Sequence, residues 1–130
     1  MGSDLVMVDT SAWIEYFRHS EGWISELIDN LIAEDRAVIC GVVEMELLHG
    51  VKKSEKDELG ELFSALNFLE LSRPDYRAAG EMLNDIRSSG SLIPSTDALI
   101  ASVCIREGIP LLTVDKHFEK VKGLNLVKSV

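Results

Sequence analysis

The sequence predicts an α/β fold with a mostly parallel central sheet, because short apolar strands alternate with helices along the chain. The clearest strand is predicted at residues 5–8, where four apolar residues are followed directly by Asp9. A strand predicted at residues 111–114 ends in the same way, in Asp115. Ligands of open α/β sheets bind beyond the carboxyl ends of the strands, so both acids are candidate site residues.

The other elements follow from the periodicity of apolar residues and from capping signals. Helices are predicted at residues 11–18, 22–33, 42–51, 54–66, 72–88 and 97–107, with a short last helix after residue 115, and strands at residues 37–40, 68–71 and 124–127. Ser54 and Ser72 are predicted N-caps, because an aspartate follows each by three residues in the capping-box pattern. Trp13 and Trp23 are interpreted as anchors of the core.

Length, charge and cysteine content bound the class of protein. The 130 residues suit a single domain over residues 1–130, in which residues 1–3 are interpreted as an expression remnant. No apolar run approaches the ~20 residues that span a membrane and no secretory leader is evident, so a cytoplasmic protein without a membrane partner is expected. Cys40 and Cys104 lie in apolar runs and are expected to be buried thiols. The net charge of -9 excludes a broad basic nucleic-acid surface, so any nucleic acid must be held locally, through bound cations or with help from a partner.

Four acids stand out, and each alone has a simple structural explanation. Asp9 and Asp97 would serve as N-caps, and Asp115 as a turn residue. Glu46 would be a solvated helix residue. In a parallel sheet, however, Asp9, Asp115 and the start of the Glu46 helix lie at the same edge. Asp97 opens a nearly continuous apolar helix without a basic neighbour in sequence, so its burial requires a partner.

A divalent cation would supply that partner. Clustered carboxylates repel one another, and Mg²⁺ or Mn²⁺ prefers oxygen ligands. Such a site activates water and stabilises the leaving oxygen in phosphodiester hydrolysis. A zinc site is disfavoured, since His19, His49 and His117 lack ligand spacing to one another.

Four short motifs carry a family resemblance that covers essentially the whole chain. They are Val-Asp-Thr-Ser-Ala-Trp-Ile at 8–14, Glu-Leu-Leu-His-Gly at 46–50, Asp-Ala-Leu-Ile-Ala at 97–101 and Thr-Val-Asp-Lys-His-Phe at 113–118. In this order they resemble PIN-domain ribonucleases of the VapC toxin type. The resemblance implies a three-layer α/β/α PIN-like domain and Mg²⁺- or Mn²⁺-dependent endoribonuclease activity on RNA, with transfer RNA as one candidate substrate. It also implies a homodimer and a VapB-type antitoxin partner.

Site residues follow from the same resemblance, position by position. The implied catalytic and metal-binding residues are Asp9, Glu46, Asp97 and Asp115. The hydroxyls that match the family positions beside these acids are those of Thr10, Ser11 and Thr113. Candidate contacts to the RNA backbone, each also explained as ordinary surface charge, are Arg18, Lys52, Lys53 and Lys116. Helical periodicity does not choose between Glu44 and Glu46, whereas the Glu-Leu-Leu-His-Gly pattern favours Glu46.

Two other functions fit parts of the sequence. A PIN-like module that binds protein without chemistry is disfavoured by the retention of all four acids. A phosphoacceptor signalling domain has adjacent acids after its first strand and an acceptor aspartate after a middle strand, whereas here Asp9 stands alone and residues 68–71 end in Ser72. The helices at residues 22–33 and 42–66 carry broad apolar stripes and are candidate antitoxin or dimer contacts.

Overall fold

A four-stranded parallel sheet forms the centre of the computed structural model, which describes residues 4–18 and 21–128. Within those ranges the strands are β1 (Val6–Val8), β2 (Ala37–Cys40), β3 (Asn67–Leu69) and β4 (Leu111–Leu112), in the order β3-β2-β1-β4. Most of the strand residues are buried, as in parallel sheets covered on both faces. The expectations for residues 1–3 and His19 concern positions outside the described residues.

Six α-helices cover this sheet in the described part of the chain. They are α1 (Thr10–Arg18), α2 (Trp23–Ala33), α3 (Gly41–Gly50), α4 (Lys56–Ala65), α5 (Arg73–Ser88) and α6 (Ser95–Glu107), and two 3-10 helices lie at Lys53–Glu55 and Lys116–Lys120. Helix α1 packs against α2, and α5 packs against α6. Parallel crossovers are right-handed, so the pair between β1 and β2 and the pair between β3 and β4 lie on opposite faces. The predicted α/β/α fold with a parallel sheet is confirmed.

The strand order places a crevice beside β1. From β1 the chain moves outward to β2 and β3, and it then returns to add β4 on the other side of β1. Residues Val8 and Leu112 are register partners, so β1 and β4 end side by side. Such a reversal of strand order opens a crevice at the carboxyl ends of the two strands, which is where ligands bind in open α/β sheets.

Several local predictions are confirmed. The backbone N–H of Ser72 donates to Asp75 Oδ2 at 2.8 Å. This is the hydrogen bond that the aspartate side chain contributes to the predicted capping box at the start of α5. Gly108 has a φ of 66° and ends α6 in the left-handed conformation that glycine tolerates best. Cys40 and Cys104 are buried free thiols. No described helix is long and apolar enough to cross a membrane.

Two predicted helix starts were wrong. Ser54 does not cap α4; it lies in the 3-10 helix that precedes it, where the backbone N–H of Lys52 donates to Glu55 Oε1 at 3.1 Å. Glu55, one residue after the predicted cap Ser54, therefore accepts the hydrogen bond at the start of this 3-10 helix. Helix α6 begins at Ser95, so Asp97 lies within its first turn and is not the residue that opens it. The carboxylate of Asp97 is thereby available for contacts other than capping.

Two predicted strands also differ from the structure. Strand β4 ends at Leu112, because the backbone N–H of Val114 turns away to donate to Ser11 Oγ at 3.2 Å. The strand predicted at residues 124–127 is reduced to a single parallel bridge between Leu111 and Leu126. Strand β3 begins one residue earlier than predicted and is two residues shorter at its end.

The two tryptophans have different environments. Trp13 is fully buried, as predicted. The prediction for Trp23 was wrong, since 42% of its surface is exposed. Trp23 is the first residue of α2, and the buried apolar positions of that helix are Ile24, Ile28 and Leu31. The apolar stripe of α2 therefore continues onto the surface at its first turn.

Candidate active site

Asp9 lies directly after β1 and is almost fully buried. Ser11 Oγ and Thr113 Oγ1 donate to its Oδ2 at 2.7 and 2.8 Å. Each hydroxyl in turn accepts a backbone N–H, from Val114 at 3.2 Å and from Asp115 at 3.0 Å. A hydroxyl has one proton, so these contacts commit both hydroxyls to the same carboxylate oxygen. The backbone N–H groups of Thr10 and Ser11 also hydrogen-bond this carboxylate.

Glu46 reaches the same edge of the sheet from α3. Thr10 Oγ1 donates to Glu46 Oε1 at 2.7 Å, across 36 residues of sequence. Burial raises the pKa of the Cys40 thiol at the end of β2, and the charges of Asp9 and Glu46 raise it further. Both carboxylates therefore lie close to the carboxyl end of the sheet. No comparable contact is recorded for Glu44 among the described residues, so the structure brings Glu46 rather than Glu44 to the other acids.

Asp97 and Asp115 meet at the side chain of His117. The imidazole Nδ1 lies 3.3 Å from Asp97 Oδ2 and 3.1 Å from Asp115 Oδ1. The backbone N–H of His117 also donates to Asp115 Oδ1, at 2.9 Å. One potential ligand atom from each of the three residues lies within 4.8 Å of the other two. Asp97 is buried, and the other two side chains are partly open to solvent.

The electrostatics of these acids show an unbalanced negative charge. Burial and the charges of Asp9 and Asp115 raise the pKa of Asp97 to about 6, and the contact with His117 only partly opposes this. Burial also raises the pKa of Asp9, against the hydrogen bonds from Ser11 and Thr113. Carboxylates with a raised pKa release their protons less readily, and a bound cation would favour their ionised form. Their oxygen donors suit a hard divalent cation, which would offset the repulsion directly.

The lysine and arginine side chains predicted to contact RNA lie at the ends of helices. Arg18 ends α1, Lys52 and Lys53 follow α3, and Lys116 begins the last 3-10 helix. All four are exposed. Lys116 lines a groove of about 580 Å³ together with the site residues Asp115 and Thr113.

His117 is the residue that sequence reasoning missed. The spacing of the three histidines to one another shows no metal-ligand pattern, so it does not single out His117. The usable signal was the spacing from Asp115 to His117, because residues two apart in a tight turn can aim side chain and backbone at one group. The contact with Asp97 crosses 20 residues and could not be inferred from spacing.

Comparisons with known proteins find relatives over almost the whole chain. The family model described as PIN domain matches residues 6–124. The VapC ribonuclease Mb1587 of Mycobacterium bovis is 30% identical over 130 residues, which cover 96% of this chain and 97% of that protein. Ribonuclease VapC2 of Rickettsia felis is 28% identical over 130 residues, which cover 94% and 96% of the two chains.

Solved structures share the fold. One is VapBC2 of Rickettsia felis bound to a DNA fragment from the promoter, with a TM-score of 0.80 at 23% identity over 97% of this chain and 99% of that one. Another is DNA-bound VapBC of Salmonella typhimurium, with a TM-score of 0.81 at 20% identity over 95% and 96% of the chains. At these identities the likeness supports the fold of the chain.

Proposed function

Because the chain belongs to the PIN-domain family, in its VapC group, we propose that it is the endoribonuclease toxin of a toxin–antitoxin pair. It would hydrolyse RNA phosphodiester bonds at the acidic site beyond β1 and β4. The observation that carries this proposal is the convergence of Asp9, Glu46, Asp97 and Asp115 at one edge of the sheet. The ribonuclease relatives support the choice of RNA as substrate.

The donor set fits a divalent cation, and we propose Mg²⁺ or Mn²⁺. Burial raises the pKa of Asp9 and of Asp97, and neighbouring carboxylates raise that of Asp97 further, so these hard oxygen ligands gain from a shared cation. Asp9, Asp97 and Asp115 would hold it. When bound, the cation would supply positive charge against the scissile phosphate and the leaving oxygen.

The side chains around the acids set their orientation. Ser11 and Thr113 hold Oδ2 of Asp9, and Oδ1 is the oxygen that we assign to the cation. Thr10 holds Oε1 of Glu46 in the same way, and Glu46 Oε2 is the atom we assign to orienting the attacking water. The reaction would thus draw on carboxylates whose other oxygen is already held by the fold.

A VapB-type antitoxin is the protein partner that we propose. A cavity of about 370 Å³ lies between α1 and α4, with Phe17, Leu59 and Leu62 in its apolar lining and with Glu55 and Glu58 beside them. An amphipathic helix with basic residues complements such a surface, in keeping with the net charge of -9. Co-purification with a co-expressed antitoxin is expected for the wild type and is weakened by Leu62→Glu.

The first experiment tests the chemistry. Wild type, Asp9→Asn and the surface control Asp85→Asn are each incubated with structured RNAs, including transfer RNA, in Mg²⁺, Mn²⁺ or EDTA. We expect discrete products from wild type and Asp85→Asn with either metal, and none from Asp9→Asn or in EDTA.

The other outcomes contradict the proposal in different ways. Equal cleavage by Asp9→Asn means that the activity is a contaminant. No cleavage by any form, together with no rise in melting temperature on metal addition, favours a PIN-like module that binds protein without chemistry.

A further inference from the structure

We propose that His117 contributes an imidazole nitrogen to the divalent-cation site, and that this nitrogen makes the site select Mn²⁺ over Mg²⁺. The inference rests on the proposed function, because it concerns the cation which that function requires. It adds a residue to the site and a choice between two metals that carboxylates alone separate poorly.

The first argument is the spacing of the ligand atoms. Neighbouring ligands around an octahedral cation at about 2.1–2.2 Å are separated by about 3.0–3.1 Å. His117 Nδ1 lies 3.1 Å from Asp115 Oδ1 and 3.3 Å from Asp97 Oδ2. The nitrogen and each of the two oxygens therefore already have the separation of adjacent ligands.

The second argument is charge. One imidazole nitrogen offers at most one proton, whereas two carboxylates lie within reach of it. A divalent cation among these three side chains would offset the charge of both carboxylates, and the imidazole nitrogen would offer it a lone pair. Asp9 adds a further negative charge near Asp97, which increases the stabilisation that a bound cation would provide.

The third argument is the rigidity of the support. The backbone N–H of His117 donates to Asp115 Oδ1, and the next residue, Phe118, is almost fully buried. Both ends of the His117 peptide unit are thus held, while its side chain stays 45% exposed and accessible to a cation. Metal ligands that are held in this way lose little conformational entropy when the cation binds.

The chemical class of the nitrogen predicts the selectivity. Mg²⁺ is hard and is held by oxygen ligands and water, whereas first-row transition metals accept imidazole well. The affinity for Mn²⁺ should therefore depend on His117, and the affinity for Mg²⁺ should depend mainly on Asp9, Asp97 and Asp115.

The test measures metal binding without RNA, on the full chain. Dissociation constants for Mn²⁺ and Mg²⁺ are measured by calorimetry for wild type, His117→Asn and the control His49→Asn, an exposed histidine of α3. His117→Asn should weaken Mn²⁺ binding by about 10-fold or more and change Mg²⁺ binding by less than about 3-fold. Pulsed electron paramagnetic resonance of bound Mn²⁺ should show coupling to an imidazole ¹⁴N in wild type and His49→Asn but not in His117→Asn.

Three outcomes overturn the inference and are distinguishable. Mn²⁺ that binds wild type without ¹⁴N coupling shows that the imidazole only hydrogen-bonds the acids, and a loss of equal size for both metals in His117→Asn shows that it does not select Mn²⁺. In either case the proposed function stands. If wild type binds neither metal, the metal site of the proposed function fails as well.

Discussion

At the scale of single residues, the structure divides the hydroxyls and the acids into pairs. Ser11 and Thr113 hold Asp9, and Thr10 holds Glu46. Asp97 and Asp115 share His117. The side-chain partners of these acids are therefore neutral or titratable, and among the described residues none of them is a lysine or an arginine. That arrangement is unfavourable for a purely structural cluster and is suited to one that holds an added cation.

The choice between two glutamates is tested by amide substitution. Glu46→Gln is expected to reduce RNA cleavage at least about 100-fold, because the amide removes a carboxylate oxygen from the site while preserving the contact with Thr10. Glu44→Gln, its matched control on the same helix, should retain cleavage within about 3-fold. Initial rates and circular dichroism of both variants decide the point. Equal losses in two folded proteins would remove the special role of Glu46.

The pH dependence of stability is tested at Asp97. Its pKa is raised from the ordinary 3.8 to about 6, so the folded state holds this proton more tightly than the unfolded state. In EDTA, its contribution to stability is full below pH 3.8 and is lost as the pH rises through about 6. Protons also compete with the cation, so added Mg²⁺ should raise the melting temperature more at pH 7.5 than at pH 5.

The variant Asp97→Asn provides the comparison for that measurement. This variant should lose the decline in stability between pH 4 and 7 that Asp97 causes. It should also lose most of the rise in melting temperature on addition of Mg²⁺. The surface variant Asp85→Asn should keep both. A rise with Mg²⁺ that is the same at pH 5 and pH 7.5 in the wild type would contradict the assignment of Asp97 as a ligand.

At the scale of elements, helix α6 is held at both ends. Its first turn carries Asp97 and its last turn carries Arg106, which binds Asp75 of α5 in a bidentate ion pair at 2.7 and 2.9 Å. Arg106 also donates to the backbone oxygen of Glu70 at 3.1 Å, just beyond β3. The ion pair therefore fixes the helix that presents Asp97 to the site.

Breaking this ion pair is expected to destabilise the fold. Arg106→Leu leaves the buried carboxylate of Asp75 without its partner. The expected loss is about 2–3 kcal/mol, below the usual range for buried pairs because the Arg106 side chain is 37% exposed. Burial alone would raise the pKa of Asp75, but hydrogen bonds from Arg106 and Ser72 lower it on balance. The contribution of the pair is thus present above pH 3.8 and is lost as the pH falls through the lowered pKa.

Urea unfolding at pH 7 and at pH 3 measures this effect. The difference between wild type and Arg106→Leu should be smaller at pH 3, and the exposed α5 control Arg77→Leu should stay within about 0.5 kcal/mol of wild type. The double variant Asp75→Asn/Arg106→Leu should recover part of the lost stability. Failure to recover any would mean that the lost packing of Arg106, rather than the unpaired charge, causes the effect.

At the scale of the whole molecule, the net charge of -9 opposes the binding of a polyanion. The proposed RNA substrate would therefore have to be held by local cationic side chains. Lys52 and Lys53 follow α3, the helix that carries Glu46, and both are exposed. Phosphate contacts by these lysines would offset the repulsion between RNA and the negatively charged protein.

Salt dependence tests those contacts. In the double variant Lys52→Ala/Lys53→Ala, cleavage should fall less steeply with salt than in wild type, by about 0.7 in the log–log slope for each phosphate that a lysine no longer neutralises. Arg77→Ala/Arg87→Ala removes two cations from α5 and controls for total charge. Equal slopes in wild type and the lysine variant would reject the phosphate contacts.

The sequence by itself determined the fold class and most of the elements. Residues that are neighbours in the chain decide whether a strand or a helix forms, so β2 was predicted to the residue and the Ser72 cap of α5 was confirmed. The two acids that follow β1 and β4 were placed at the same edge, because parallel strands end together. Local competition caused the errors, as where Glu55 rather than Ser54 organises the start of its segment.

Only the tertiary structure decided which side chains meet. Thr10 contacts Glu46 across 36 residues, and His117 contacts Asp97 across 20. These pairs depend on how α3, α6 and the last 3-10 helix pack around β1, and no local pattern encodes that packing. The exposure of Trp23 has the same origin, because burial depends on what covers a residue rather than on its own hydrophobicity. The chain thus specified its elements locally, while the site arose from contacts between elements far apart in sequence.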